Sequence, residues 1–316
     1  MFVLEDAKKR RGDPIRYPSL IQKCYSPEGL ARLDTLRQAW EASSGESPLA
    51  QLTWLALAGI LRECSPVGTA QWQYVLPAKS KSRVVDPYAA FASKVVGMAG
   101  DMAVRQYYPH GPVASLHVDD ARVCSPLPDG WADLVLTSPP YANNYDYADA
   151  TRLEMSFFGE VSGWGDLQAK VRQHLVRSCT QHVSSMESET STWLKSPLLD
   201  PICPAIVEIC GALQAEREHH GGKKTYHTMI AAYFLDLAQV MVALRRVVAR
   251  GGLMCFVVGD SAPYGVHVPV DTWLGELALA AGFERFLFEK TRDRNIKLKN
   301  RKHRVPLREG RLWIEG

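Results

Sequence analysis

Apolar residues recur along this chain in two patterns, one at helical spacing and one in short unbroken runs, and their alternation sets the expected fold. In SPEGLARLDTLRQAWEA, residues 26–42, Leu30, Leu33, Leu36 and Trp40 fall at helical spacing. They follow Ser26-Pro27, a pair that opens helices because the serine can cap and the proline has no N–H to satisfy. A second apolar helix is expected around Leu52 to Leu61, after the break SSGES, and an amphipathic one over about Tyr88 to Tyr107. The strongest helical signal is YHTMIAAYFLDLAQVMVALRRVVARGG, which sets Tyr226, Met229, Ile230, Tyr233, Phe234, Leu237, Val240, Met241, Leu244 and Val248 on one face. Arg245, Arg246 and Arg250 crowd its last turn, where the helix dipole favours cations, and Gly251-Gly252 is expected to end it.

The strands read differently. PVASLHVDDAR, from residue 112, suggests a short strand ending at Asp119 and Asp120. In ADLVLTSPPY an apolar run meets a double proline, so the chain must leave the sheet at Ser138 in a rigid turn, since proline cannot donate to a ladder and fixes its own φ. LMCFVVGDS is apolar on both faces, as a central parallel strand must be. After a helix around Thr272 to Ala281, GFERFLFEKTR and GRLWIEG suggest a closing antiparallel pair. Strand, helix, strand with continuous apolar strands argues an α/β fold with a doubly wound sheet. Residues 156–222 form a long insertion of helical character ending in the polar EREHHGGKK.

Composition narrows the class. With 316 residues, 46% of them hydrophobic and 22% charged, the chain can bury a large core. LTWLALAGIL is too short to span a bilayer and Met1 to Arg11 lacks the apolar centre of a signal peptide, so the expected location is cytoplasmic, with no membrane partner. Seven scattered cysteines without a C-x-x-C pair read as free thiols, and no metal is expected. The net charge of +3 hides a concentration: KTRDRNIKLKNRKHR, residues 290–304, holds eight Lys or Arg against one Asp, and KKRR stands at residues 8–11. A basic run is compatible with a nucleic-acid contact and equally with a solvated loop.

In a doubly wound sheet, ligands bind outside the carboxyl ends of the strands. Three polar ends are therefore expected to converge: Asp119-Asp120, Thr137-Ser138 and Gly259-Asp260-Ser261. An ordinary turn explains the first and third as well as a site does. It explains Ser138-Pro139-Pro140-Tyr141 less well, because a plain turn has no use for an aromatic ring after two prolines.

TSPPY behind an apolar strand resembles motif IV of the amino-methyltransferases of DNA, in the serine form typical of the cytosine-N4 enzymes. LHVDDAR, TSPPYANNYDYADATRLEMSFFG, YFLDLAQVMVALRRVVARGG, FVVGDS and AAGFERF follow in the order such enzymes show. The resemblance implies a Rossmann-like class I methyltransferase sheet, S-adenosylmethionine as cofactor, and double-stranded DNA as substrate. It implies catalysis at Ser138, Pro139, Pro140 and Tyr141, and cofactor contacts at Asp120, Thr137 and Asp260. The chemistry suits the motif. The lone pair of an exocyclic base nitrogen is delocalised into the ring, and acceptors holding its hydrogens, here Ser138 Oγ and the Pro139 carbonyl, turn that pair toward a methyl donor. The base must be flipped out of the duplex, and Tyr141 can stack on it. Arg292, Arg294, Lys297, Lys299, Arg301, Lys302 and Arg304 are the expected phosphate contacts.

One family element has no counterpart. The glycine-rich loop that approaches the cofactor's methionine, and the acidic residue for its ribose, are matched neither by VVDPYAAFASK nor by VVGDSAPYG. The expectation is a sheet lacking its first two strands: the catalytic half of a split enzyme, with a second subunit supplying the glycine-rich loop. A degenerate fold in which the helices at 25–110 replace the loop is the competing view. The expected organisation is a basic leader and helical region at 1–110, strands with the SPPY loop at 111–155, a target-recognition region at 156–225, and the carboxyl-terminal half of the sheet at 226–316. Adenine-N6, RNA or protein-glutamine methylation, and a non-catalytic DNA-binding subunit of a modification or defence complex, remain as alternatives.

Overall fold

The structure is a computed structural model that describes residues 2–43, 47–67, 83–108, 111–221, 223–294 and 305–316. The chain forms two compact units, residues 1–115 with 147–171, and residues 116–146 with 172–316. Residues 156–225, one block in the sequence reading, are thus shared between the two.

The first unit is helical. Its elements are α1 (Phe2–Ala7), α2 (Ser19–Cys24), α3 (Pro27–Ala42), α4 (Pro48–Ile60), α5 (Pro87–Tyr107), α6 (Tyr147–Ala150), α7 (Arg152–Phe158) and α8 (Trp164–Lys170). The expected start at Ser26-Pro27 holds, and α4 and α5 begin in the same way at Ser47-Pro48 and Asp86-Pro87. Ser26 Oγ accepts the Gly29 N–H at 3.1 Å, Ser47 Oγ that of Ala50 at 3.2 Å, and Asp86 those of Tyr88 and Ala89, each ahead of a proline that needs no partner. Leu30, Leu33 and Leu36 of α3 bury against Ile21, Leu57, Ile60, Phe91 and Phe157. Inside that core, Asp34 accepts from the Asp13 N–H at 2.8 Å and the Tyr17 hydroxyl at 2.8 Å and pairs with Arg16 at 3.0 Å, so its buried charge is fully compensated.

The second unit carries the sheet. Its strands are β1 (Ala132–Thr137), β2 (Val248–Gly259), β3 (Arg285–Arg294) and β4 (Leu307–Glu315), in the order β1-β2-β4-β3. Strand β2 is central: β1 lies parallel to it, and β4 antiparallel, followed by β3 antiparallel to β4. The carboxyl ends of β1, β2 and β3 therefore lie at the same end of the sheet. Helices α9 (Thr190–Trp193), α10 (Cys203–His219), α11 (Tyr226–Val247) and α12 (Val270–Ala280) complete the unit. Met254, Phe256, Val258, Leu312 and Ile314 pack on one face of the sheet with Tyr233, Phe234, Met241, Trp273 and Leu274 from α11 and α12. Gly275 on α12 makes this approach possible, since a Cβ there would come within 2.4 Å of the Phe286 ring. Two helical stretches, Pro197–His219 and Tyr226–Val247, match a membrane span in length and composition, but α11 owes its apolarity to burial in this core.

Two expectations are corrected. No strand forms over PVASLHVDDAR: residues 112–120 have no regular structure and pair with no described strand, Leu116 and Val118 are almost fully exposed, and a strand needs a partner to be stable. Helix α11 ends at Val247 rather than at Gly251-Gly252. The β-branched Val248 already pairs with Ala132, and the two glycines sit in an irregular stretch of β2 where Gly251 takes φ +74°. All seven cysteines are free thiols.

Phe256 is fully buried between β1 and β4. Phe256→Ala should cost about 3–5 kcal/mol of stability, read as a lowered midpoint in urea unfolding followed by circular dichroism.

Candidate active site

The site grows from the register of the two parallel strands. Thr137 stands opposite Phe256, so the chain leaves β1 at Ser138 alongside the last residues of β2. Ser138 is exposed, and its hydroxyl donates to the Val257 carbonyl over a long 3.4 Å. Donating its hydrogen toward the sheet leaves its lone pairs free to accept from solvent or ligand. Pro139, Pro140 and Tyr141 follow, half-buried. The Ser261 hydroxyl donates to the Ala142 carbonyl and ties the loop to the end of β2.

Behind this loop lies a buried polar brace. Asn144 adopts a left-handed backbone, φ 65°, which asparagine tolerates better than most residues. Its side-chain carbonyl accepts from the Thr180 N–H at 2.8 Å and the Thr180 hydroxyl at 2.7 Å, and its own N–H donates to the Ser178 carbonyl at 3.2 Å. Asp146, fully buried, accepts from Arg172 Nη2 at 2.8 Å and Nε at 3.1 Å, with His182 Nε2 at 3.4 Å. Burial acts to raise the Asp146 carboxyl, but the bonds from His182 and Arg172 outweigh it and hold its pKa below the usual range. None of these partners was anticipated from sequence. Nothing in the sequence pointed to Arg172 or His182.

Of the three expected strand ends, two come together. Ser138 and Tyr141 come up beside the end of β2: Ser138 reaches the Val257 carbonyl, and Gly259 lies against the Tyr141 ring, where an added Cβ would stand 3.4 Å from Cε2, with Asp260 next in the chain. Asp260 is buried, with Oδ2 3.1 Å from His267 Nε2 and 3.6 Å from Arg308 Nε, while Oδ1 has no hydrogen-bond partner. Burial pushes its carboxyl above the ordinary value against the opposing His267 bond. Asp120 is placed differently. It lies in a turn, not at a strand end, where Arg122 donates to both its oxygens, and Arg122 in turn reaches the buried Asp236 of α11 at 3.2 Å. Arg177 pairs with the same Asp236 at 2.6 Å.

The basic run divides. Arg292 and Arg294 close β3 beside the site, both within reach of Glu309 of β4, at 2.6 and 3.7 Å. Lys297, Lys299, Arg301, Lys302 and Arg304 lie outside the described residues. Among the described residues no cluster of His, Cys, Asp and Glu could hold a metal ion.

Comparison with known proteins places this geometry in context. Over 156 residues, 48% of its length, the chain is 31% identical to the Type II methyltransferase M.AvaI of Nostoc sp. and to the protein of the same name from Anabaena variabilis, covering 30% of each. Over 191 residues, 56% of its length, it is 28% identical to the Type II methyltransferase M.BsoBI of Geobacillus stearothermophilus, covering 36% of it. The match spans about a third of the length of these relatives. No family model and no solved structure matches the chain.

The raised carboxyl of Asp260 has a measurable consequence. A carboxyl whose pKa is raised by folding favours the folded state while protonated, and that contribution is lost as the pH rises through the raised pKa. Asp260→Asn, which mimics the protonated acid, should therefore be the more stable protein at neutral pH, by about 0.5–2 kcal/mol. The advantage should shrink as the pH falls into the carboxylate range, as thermal melts across pH 4 to 8 will show.

Proposed function

We propose that this chain is the catalytic subunit of an S-adenosylmethionine-dependent DNA methyltransferase that modifies an exocyclic amine, cytosine N4, of a flipped base. The observation that carries the reading is Ser138-Pro139-Pro140-Tyr141 at the carboxyl end of β1, braced against the end of β2. Likeness to Type II methyltransferases supports the reaction class, and the serine at the head of the motif favours cytosine.

In this reading Ser138 Oγ and the Pro139 carbonyl accept the two amine hydrogens and orient the nitrogen lone pair, while the prolines remove the motion that would blur that alignment. Tyr141 offers a ring face to the extruded base, an interaction contributing about 1–3 kcal/mol toward the cost of flipping. S-adenosylmethionine, when bound, supplies an electrophilic methyl on a sulfonium. Asp260 suits it as a holding residue, because Oδ1 is buried and lacks a partner, so a donor arriving there would relieve an unsatisfied acceptor. Thr137 stands at the same strand end. Asp120 retains its proposed contact only if Arg122 shares it.

We infer further that the sheet is Rossmann-like and is completed by a second subunit carrying the glycine-rich loop. On the edge of β1 away from β2, no described strand pairs with it, and on the face away from α11 Leu134 and Leu136 are 58% and 71% exposed. An unpaired apolar strand is a template for another strand. The basic end of β3, where Arg292 is exposed, lies at the same end of the sheet as Ser138 and would meet the DNA backbone. Residues 156–225 are the proposed target-recognition region, and the enzyme acts in the cytoplasm.

Two experiments test this. Nucleoside mass spectrometry on DNA from cells carrying the gene with its neighbours should find N4-methylcytosine, and Ser138→Ala should remove it while leaving DNA binding intact. N6-methyladenine would reassign the base, and no modified nucleoside would leave a binding subunit. In calorimetry the isolated chain should bind S-adenosylmethionine weakly or not at all, and micromolar binding by a monomer would overturn the split-enzyme reading.

A further inference from the structure

Three strands each bring one residue to the Tyr141 ring: Gly259 from β2, Arg294 from β3 and Glu309 from β4. The Arg294 guanidinium, from the end of β3, lies 5.1 Å from the ring centroid, within cation–π range. Its Nη1 donates to the Asp260 carbonyl at the end of β2 over 3.1 Å, and its Nε lies 3.7 Å from Glu309 of β4. Glu309 also stands beside the Tyr141 phenol, which burial first and then the Glu309 carboxylate push above its ordinary pKa. Gly259 is the condition for this stack: a Cβ there would lie 2.7 Å from Arg294 Nη1 and 3.4 Å from Tyr141 Cε2. Arg292, two residues earlier, is different. Its side chain is 68% exposed against 24% for Arg294.

The geometry points to Arg294 as a positioning residue for Tyr141 rather than a phosphate contact. The Arg294 guanidinium sits over one face of the Tyr141 ring, which leaves the other face for a base. Arg294 thus holds the ring at a fixed angle to Ser138 and selects the face it offers. The planar guanidinium is essential to this role, because it stacks and donates in its plane at once, whereas a lysine ammonium is a point charge that cannot do both. The inference rests on the proposed methyl transfer, and it makes a demand on the protein that holds whether or not transfer occurs.

The test compares Arg294→Lys, Arg294→Ala, Gly259→Ala and, as a control, Arg292→Lys in the full chain. With 3-fluorotyrosine incorporated, and the Tyr141 signal identified by its loss in Tyr141→Phe, the first three variants should move or broaden that ¹⁹F resonance and the control should not. Gly259→Ala keeps every charge and displaces only the far end of a flexible side chain, so it separates the stack from electrostatics. The salt dependence of DNA binding should be unchanged in Arg294→Lys and Gly259→Ala. Expressed with the neighbouring genes, both should lose methylation of cellular DNA at least tenfold, with lysine no better than alanine. Rescue of methylation by lysine, with a salt slope in Arg294→Ala reduced by about one phosphate, would return Arg294 to DNA contact and overturn the inference. An unmoved ¹⁹F resonance in Arg294→Ala would overturn it too. Absence of methylation in the unmodified protein would count against the proposed function alone, since the resonance still judges the stack.

Discussion

The parallel pairing of β1 with β2, in the register that sets Thr137 opposite Phe256, is the contact on which the candidate site depends. It fixes where the double proline breaks the ladder, and so puts Ser138 and Tyr141 beside Gly259 and Asp260. A slip of one residue would turn every side chain of β1 to the opposite face of the sheet, exchanging Val135 for Leu134 and Leu136 against the core. Burial on β2 opposes that slip, because Met254, Phe256 and Val258 already fill the space under α11 and α12. The antiparallel β4 repeats the constraint from the other side, and through it β3 delivers Arg294 to the same end of the sheet.

The loop after the prolines is held by polar groups instead of apolar ones. Asn144 and Asp146 alternate with the exposed Asn143 and Tyr145, and both buried side chains are committed to the 172–182 segment. A buried ion pair such as Asp146–Arg172 adds little net stability, since desolvation of both charges offsets their attraction, but it tolerates only one geometry. That property would suit the proposed role of the loop, in which a hydroxyl and a carbonyl are presented to a single nitrogen. Asp236 places a comparable constraint under the 120–124 turn, through Arg122, and under the 172–182 segment, through Arg177. Asp260 is one of the buried polar groups, with Ser178 and His227, that keep an atom without a hydrogen-bond partner among the described residues, and burial raises its carboxyl pKa, so its position carries a cost in stability.

Much of this was legible in the sequence because it is local. Helical spacing, the Ser-Pro start of α3, the apolar run of β2 and the proline stop after β1 are decided within a few residues, by sterics and capping, and the structure follows them. The exit of the chain from the sheet at Ser138-Pro139-Pro140-Tyr141 was legible for the same reason: two prolines that cannot join a ladder are written into four consecutive residues. Whether an extended segment becomes a strand depends on a partner elsewhere, and so LHVDD, which looked like a strand, remains unpaired. Likewise Gly251-Gly252 reads as a helix stop in isolation, yet Val248 had already been drawn into the sheet by Ala132. The Arg294 stack on Tyr141, the Arg172 pair of Asp146 and the orphaned oxygen of Asp260 join residues distant in the chain, or depend on what fails to reach them, and only the packing of strand against strand decides such meetings.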